Sequence, residues 1–372
     1  MSTQILAAVA HAPEGDFAFE TLTLAAPGPG EVLVEIKGVG LCHTDLVARE
    51  GLYELPYPLV VGHEGAGVVV EVGEGVSAVA PGDHVALSFN SCGHCVSCED
   101  GAPSYCLDFP GQNYGGGVRP DGTGTLTLDG APVSGSFFGQ SSFASHALAN
   151  EHNVVKVDPD LPIELLGPLG CGIQTGAGSV MNVFACPPGS SLLVLGGGPV
   201  GLAAVMGAVV QGCGTIVVSE PFASRRELAL KLGATHVLDP AAGPLDEQVR
   251  ALLPAGVDYA FDTTGSVPVL EAVIASMAHR GTIGLVGVPK DFADSLPVNL
   301  ITAMVLGLTV RGIVEGDSDP MTFIPRMLEL YREGRFPFDE MITTYPFDQL
   351  NAAVAAQHAG EVVKVVLVAE GA

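Results

Sequence analysis

Cys92, Cys95, Cys98 and Cys106 follow one another as Cys-x2-Cys-x2-Cys-x7-Cys. Four thiolates on one short loop match a closed tetrahedral Zn²⁺ site, which is structural because no coordination position is left open. A second donor set is scattered along the chain: Cys42, His63 within Gly62-His63-Glu64, and Cys171. Three protein ligands and one open position describe a catalytic zinc. Taken singly, His63 reads as a buried neutral histidine and Cys171 as a core residue. Together, with a nucleotide motif shortly after Cys171, they point to a metal that acts as a Lewis acid and lowers the pKa of an alcohol. Asp45 is placed to orient His63 as a supporting carboxylate. Glu64 adjoins the ligand His63 and serves either the metal during ligand exchange or a salt bridge. Thr44, two residues after Cys42, offers a hydroxyl to take the alcohol proton.

The second chemistry is nucleotide binding. Leu192-Leu193-Val194-Leu195 is a short apolar strand, followed by Gly196-Gly197-Gly198-Pro199-Val200-Gly201 and an Ala/Val-rich helix to about Gln211. A Gly-x-Gly-x-x-Gly motif between strand and helix is the context that gives it meaning. Gly196 makes the tight turn, Gly198 lets the backbone approach a pyrophosphate, and Gly201 lets helix and strand pack closely. Pro199 and Val200 open the helix, whose N-terminal N–H groups face the phosphates. Glu220 follows Gly201 by 19 residues at the end of the next strand. A carboxylate there binds ribose hydroxyls and repels a 2′-phosphate, so NAD is expected over NADP. Arg225 is the nearby cation that tempers this preference.

These residues need elements to hold them. Residues 1 to about 170 carry short β-like runs, such as 32–36 and 68–72, punctuated by glycine, which suggests a folded-over β domain. Beyond 171, strand-like runs at 215–219, 235–238, 257–262, 282–286 and 307–313 alternate with helical segments such as 224–232 and 267–278. Alternation means a parallel sheet with right-handed crossovers. A helix near 324–331 and a strand at 362–368 close the chain. The fold class expected is α/β plus β. Length is 372 residues, enough for two or three domains. The net charge of −26, from 41 acidic and 15 basic residues, argues against nucleic acid or an anionic membrane as partner. No long apolar run and no signal-like N-terminus are seen, so a cytoplasmic protein is expected. Eight cysteines in such a chain read as metal ligands, not disulfides. Cys186 and Cys213, outside both sets, read as small core residues.

At this point the residues resemble the zinc-dependent medium-chain alcohol dehydrogenases. Gly62-His63-Glu64-x-x-Gly67-x5-Gly73-x-x-Val76 looks like that family's zinc signature, and the four-cysteine lobe, glycine motif and Glu220 follow in order. The resemblance implies a GroES-like catalytic domain at 1–173, a Rossmann NAD-binding domain (a doubly wound parallel sheet) at 174–312, and a return to the first domain at 313–372. It implies catalytic zinc on Cys42, His63 and Cys171, and structural zinc on Cys92, Cys95, Cys98 and Cys106. It places His43 and Lys364 at the cofactor pyrophosphate, Thr44 at the proton relay, and Thr175, Val286 and Val288 near nicotinamide. Phe89, Val47 and Val288 line its substrate pocket. Val47 stands where many relatives carry a histidine that ends the proton relay, so Thr44 must pass its proton through ribose to water, His43 or another base. The stretch 167–178, with His43 and Val47, looks most like the bacterial aryl (benzyl) alcohol branch, whose close relatives take allylic terpene alcohols such as geraniol. The length between Cys106 and Cys171 resembles the dimeric forms, with a tetramer as the alternative.

The activity expected is reversible oxidation of a primary aromatic or allylic alcohol to its aldehyde with NAD and two zinc ions per chain. One rival is S-(hydroxymethyl)glutathione (formaldehyde) dehydrogenase, which needs pocket cations for an anionic adduct, and Arg119 is the one candidate near the loop. The other rival is a non-catalytic nucleotide-binding relative.

Overall fold

The β-like runs of the N-terminal half and the strand–helix alternation after 171 fold into sheets of opposite character. The computed structural model describes residues 1–119 and 121–369. Its chain divides into unit 1 (1–171, 319–326 and 342–372) and unit 2 (172–318 and 327–341).

In unit 1, Glu31–Gly40 is the spine of a seven-stranded sheet. It pairs antiparallel with Gly65–Val72, with His146–Asn150, and through Gly38 to Gly40 with the late strand Lys364–Val368. A second antiparallel sheet joins Thr3–Val9, Ala18–Leu24, Leu126–Leu128 and Ala131–Val133. Val32, Val34, Val39 and Val85 are buried in one core with Leu22 and Phe143. Leu41 N–H donates to Val365 O at 3.0 Å, so the chain leading to Cys42 is bonded to residues more than 320 positions later.

In unit 2, six strands are all parallel. In space they run His236–Leu238, Thr215–Ser219, Ser191–Leu195, Val257–Asp262, Met277–Leu285 and Thr309–Gly312. Numbered along the chain this is 3-2-1-4-5-6, the doubly wound order of dinucleotide-binding folds, and ligands sit at the carboxyl ends where the order reverses. Leu192 to Leu195 is continuously buried, as a central parallel strand covered on both faces requires.

Three elements differ from the sequence reading. The terminal helix spans Pro320–Arg332 and carries Pro325 inside it, whereas the reading begins it at 324, beside that proline. Residues 313–318 and 327–341 cluster with unit 2, whereas the reading returns all of 313–372 to the first domain. The glycine-rich stretch after Cys171, to which the sequence reading assigns no element, forms the helix Gly172–Gly178 and a π-helical turn Ser179–Phe184. Glycine opposes helix by roughly 1 kcal/mol per residue against alanine, so packing holds this segment. Cys186 is buried and Cys213 half-buried, and their thiols share a hydrogen bond that raises the Cys186 thiol and lowers that of Cys213. Among the described residues no helix is long and apolar enough to cross a membrane.

Candidate metal and nucleotide sites

Cys42 is the N-cap of the short helix His43–Arg49, and Asp45 in its first turn organises the surroundings. The fully buried Asp45 carboxylate accepts from Cys42 N–H at 3.0 Å, Gly62 N–H at 3.0 Å and His63 Nδ1 at 2.7 Å. That last bond fixes the imidazole tautomer and leaves Nε2 to act as a donor atom. Nε2 is buried and has no hydrogen-bond partner. One donor atom from each of Cys42, His63, Glu64 and Cys171 lies within 4.8 Å of the others. The Cys42 thiol is held well below its ordinary range, chiefly by a hydrogen bond with Cys171. Two soft thiols and a pre-oriented imidazole whose Nε2 has no hydrogen-bond partner fit a zinc ion. Gln140, which the sequence reading passed over, fixes the segment bearing His63. Its Nε2 donates to His63 O at 2.9 Å and Ser88 O at 3.0 Å, and its Oε1 accepts from Gly65 N–H at 3.0 Å.

Glu64 is buried, and its carboxylate pairs with the Lys364 ammonium, which also donates to Leu41 O at 3.0 Å. Burial pushes the Glu64 carboxyl up to about 7 even though the ammonium pulls it down. Burial acts downward on Lys364, and the Glu64 carboxylate with the Cys42 and Cys171 thiols together more than offset it. Lys364 is 1% exposed, so its charge is engaged inside unit 1. This employment differs from the pyrophosphate contact that the resemblance assigns to it. Glu64 thus makes the salt bridge while a carboxylate oxygen stays within reach of the other metal donors.

The four-cysteine loop is a second cluster, its donor atoms again within 4.8 Å. Cys95 and Cys98 sulfurs are 3.5 Å apart, and those of Cys92 and Cys98 are 4.0 Å apart. Thiolates bound to one tetrahedral zinc at about 2.3 Å stand roughly 3.8 Å from each other, so these spacings fit. Leu107 N–H points at Cys95 Sγ and Cys92 N–H at Cys106 Sγ, both at 3.4 Å. Such donors stabilise thiolates.

In unit 2, Gly196 adopts φ 98°, a left-handed turn open to glycine. A Cβ on Gly201 would stand 1.9 Å from Gly196 O, so helix and strand approach only without one. A Cβ on Gly198 would meet nothing within 4 Å, leaving open ground beside the N-terminus of the helix Pro199–Gln211, where a pyrophosphate fits. Glu220 is buried, accepting from Gly197 N–H at 2.6 Å and Phe222 N–H at 2.9 Å. Arg225 lies over the Phe222 ring, 4.9 Å from its centroid. The cation that supports the Glu220 turn is instead Arg226, which bonds the Glu220 and Pro221 carbonyls at 2.7 Å and pairs with Asp239. Val286 N–H donates to Asp262 O at 3.0 Å at the end of its strand, and Val288 is exposed nearby. Thr175 Oγ1 donates to Glu315 at 3.3 Å. Of the other named residues, His43 is exposed, Thr44 lies 3.7 Å from the Cys42 sulfur, and Val47 and Phe89 are buried in unit 1.

The comparisons agree with this geometry. The family described as "Alcohol dehydrogenase GroES-like domain" matches residues 28–159, and that described as "Zinc-binding dehydrogenase" matches 199–333. A geraniol dehydrogenase of Castellaniella defragrans is 52% identical over 363 residues, 97% of each chain. The chain belongs to the zinc-dependent medium-chain alcohol dehydrogenases. An alcohol dehydrogenase zinc-binding domain protein from Burkholderia ambifaria superposes with TM-score 0.96 at 46% identity, and the benzyl alcohol dehydrogenase of Acinetobacter calcoaceticus with 0.95 at 39%, each covering 99% of both chains. The family is one of zinc-binding dehydrogenases, and the two clusters have the donor sets to receive that metal.

An aromatic cluster around His63 was invisible to the sequence reading, apart from Phe89. The imidazole stacks on Phe138 at 4.6 Å and meets Phe137 edge-on at 5.6 Å. Tyr114 lies 6.1 Å from Phe138 and stacks on Tyr53 at 4.8 Å. Phe109 links Phe89 to Phe138. Burial, with charge from Tyr114, Cys42, Cys171 and Asp45 adding to it, pushes the Tyr53 hydroxyl up to about 12. Tyr53 therefore stands in this cluster as a neutral group.

Proposed function

We propose that this dehydrogenase oxidises a primary aromatic or allylic alcohol reversibly to its aldehyde. The observation that carries this reading is the aromatic cluster of Tyr53, Tyr114, Phe137 and Phe138 packed on His63 beside the metal donors. Flat π-systems pack well against aromatic side chains, in stacked or edge-on geometry. The likeness to geraniol and benzyl alcohol dehydrogenases supports the same substrate class.

When bound, zinc supplies Lewis acidity and NAD the hydride acceptor. Cys42, His63 and Cys171 hold the metal, and Asp45 keeps the imidazole in the required tautomer. The Thr44 hydroxyl receives the alcohol proton. Val47, an apolar side chain, offers no onward acceptor, and the exposed His43 is the neighbouring base that could take the proton to solvent. Lys364 neutralises Glu64, which keeps an uncompensated carboxylate away from the thiolates. The formaldehyde–glutathione reading loses its cation. Arg119 is bound in a fork to Glu31, at 2.8 and 2.9 Å, and is not free to meet an anionic adduct.

NADH formation on a panel of benzyl alcohol, geraniol, hexanol, ethanol, and formaldehyde with glutathione tests the reading. Benzyl alcohol and geraniol are expected to exceed ethanol in kcat/KM by about 10²-fold, the scale an apolar pocket achieves over a few carbon atoms. Equal rates on ethanol and benzyl alcohol, or activity confined to formaldehyde with glutathione, would sink it.

The working form is a homodimer. In unit 2 the helix Leu300–Leu306 turns apolar residues outward, with Leu300 79% and Met304 74% exposed, beside the edge strand Thr309–Gly312. An apolar patch next to an edge strand is a surface that a second copy covers. Met304→Glu is expected to shift the protein toward monomer in sedimentation velocity; an unchanged dimer would place the interface elsewhere.

A further inference from the structure

Glu315, Gly316 and Asp317 all have left-handed backbone, with φ of 49°, 67° and 49°. Side chains other than glycine rarely adopt this region, and a run of it persists only where the surroundings over-determine it. The turn follows the sixth parallel strand, Thr309–Gly312. Gly196 and Val286 follow the first and fifth strands of the same sheet. All three segments therefore emerge at the carboxyl end, the side on which dinucleotides bind.

The turn is built to meet the helix Gly172–Gly178. A Cβ on Gly316 would lie 2.4 Å from Gln174 O, and one on Gly178 2.5 Å from Gly316 O, so the two backbones are in direct contact. Asn182 Nδ2 donates to Gly316 O at 3.3 Å, and Asp317 pairs with Arg311. On its other flank the same helix touches the nucleotide-binding helix, where a Cβ on Gly176 would stand 1.9 Å from Val200 O. Glu315 aims its carboxylate into this junction. Its Oε2 accepts from Thr175 Oγ1 at 3.3 Å and from Gln174 Nε2 at 3.2 Å.

We propose that Glu315 is a positioning residue for the nicotinamide cofactor, acting through Thr175: the left-handed turn fixes the carboxylate, and the carboxylate fixes the threonine hydroxyl on the cofactor side of the sheet. This rests on the reading that Thr175 meets NAD. A hydroxyl that donates to a carboxylate keeps its lone pairs directed outward, available to the carboxamide N–H of a bound nicotinamide. The strain of the turn is the cost of reaching the helix from the strand end.

The test is a double-mutant cycle on the zinc-loaded enzyme, reading the Kd for NADH by fluorescence titration in the absence of alcohol alongside KM for NAD and kcat, with Kd expected to move as KM does. Glu315→Ala is expected to raise KM for NAD about 5- to 10-fold, the range of one charge-assisted hydrogen bond, with kcat changed less than about 2-fold. Glu315→Gln, which keeps an acceptor oxygen, is expected to return KM to within about 2-fold of wild type. In a Thr175→Val background Glu315→Ala is expected to add almost nothing. Glu315→Gly relieves the left-handed strain, so a purely structural role predicts wild-type KM for it, whereas positioning predicts the value of the alanine variant. Thr175→Val leaving KM unchanged would remove the Thr175 reading and the proposal with it. Thr175→Val raising KM while the Glu315→Ala effect stays the same in both backgrounds would overturn the proposal alone.

Discussion

Cys42→Ser is expected to lower kcat/KM by about 10³-fold, because the Lewis acid supplies several kcal/mol of charge stabilisation at about 1.4 kcal/mol per decade. Cys42 supplies one of the two thiols in the four-residue donor cluster. A serine hydroxyl at this position is a hard, protonated oxygen and a poor substitute for a soft thiolate. The fold is expected to survive. Cys42 is an N-cap, a position serine favours, and its bond to Asp45 comes from the backbone N–H, which the substitution leaves in place. Metal analysis is expected to find one zinc per chain in the variant, held by the cysteine loop, against two in the parent. Full activity, or loss of both metals, would remove Cys42 from the catalytic set.

The second large effect is on stability. Lys364→Met would leave the Glu64 carboxylate buried without its counter-charge, since the ammonium beside it is the group that offsets burial. Removing one partner of a buried pair costs about 3–5 kcal/mol. In a unit of this size that is a fall in melting temperature of roughly 10 °C. The double variant Lys364→Met/Glu64→Gln removes the orphaned charge and is expected to recover most of the loss. If Lys364→Met melts with the parent, the ammonium is not the partner of Glu64; if the double variant is no better than the single, the cost lies in lost packing and not in charge.

The donor clusters were legible because metal ligands obey spacing: four cysteines within 15 residues need one loop, and a glycine motif between strand and helix needs one kind of turn. The parallel sheet was legible for a similar reason, since continuous apolar runs between helical segments leave few alternatives. What stayed hidden depends on contacts between segments without a period. Tyr53, Tyr114, Phe137 and Phe138 lie in turns and short helices, and Phe138 itself has φ 51°. No local pattern announces that such residues meet around His63. Lys364 was read through the family's habits, and only the pairing of its strand with Gly38 to Gly40 explains why its charge is engaged by Glu64. Arg226, which the sequence reading did not name, bonds the Glu220 carbonyl because helix phase turns it back over the preceding loop.

The strand Lys364–Val368 also sets a schedule. Lys364 and the Leu41 carbonyl it bonds are 323 positions apart. At about 5–20 residues per second the ribosome needs roughly 15–60 s to bridge that gap, and unit 2 emerges in between. Throughout that interval Cys42, His63 and Glu64 are already synthesised but Glu64 lacks its ammonium. The nucleotide-binding unit can complete most of its parallel sheet first, whereas the metal-binding unit closes only as its late strand docks. A nascent chain halted before residue 364 would carry nearly all the ligands of a dehydrogenase without the charge that lets them be buried together.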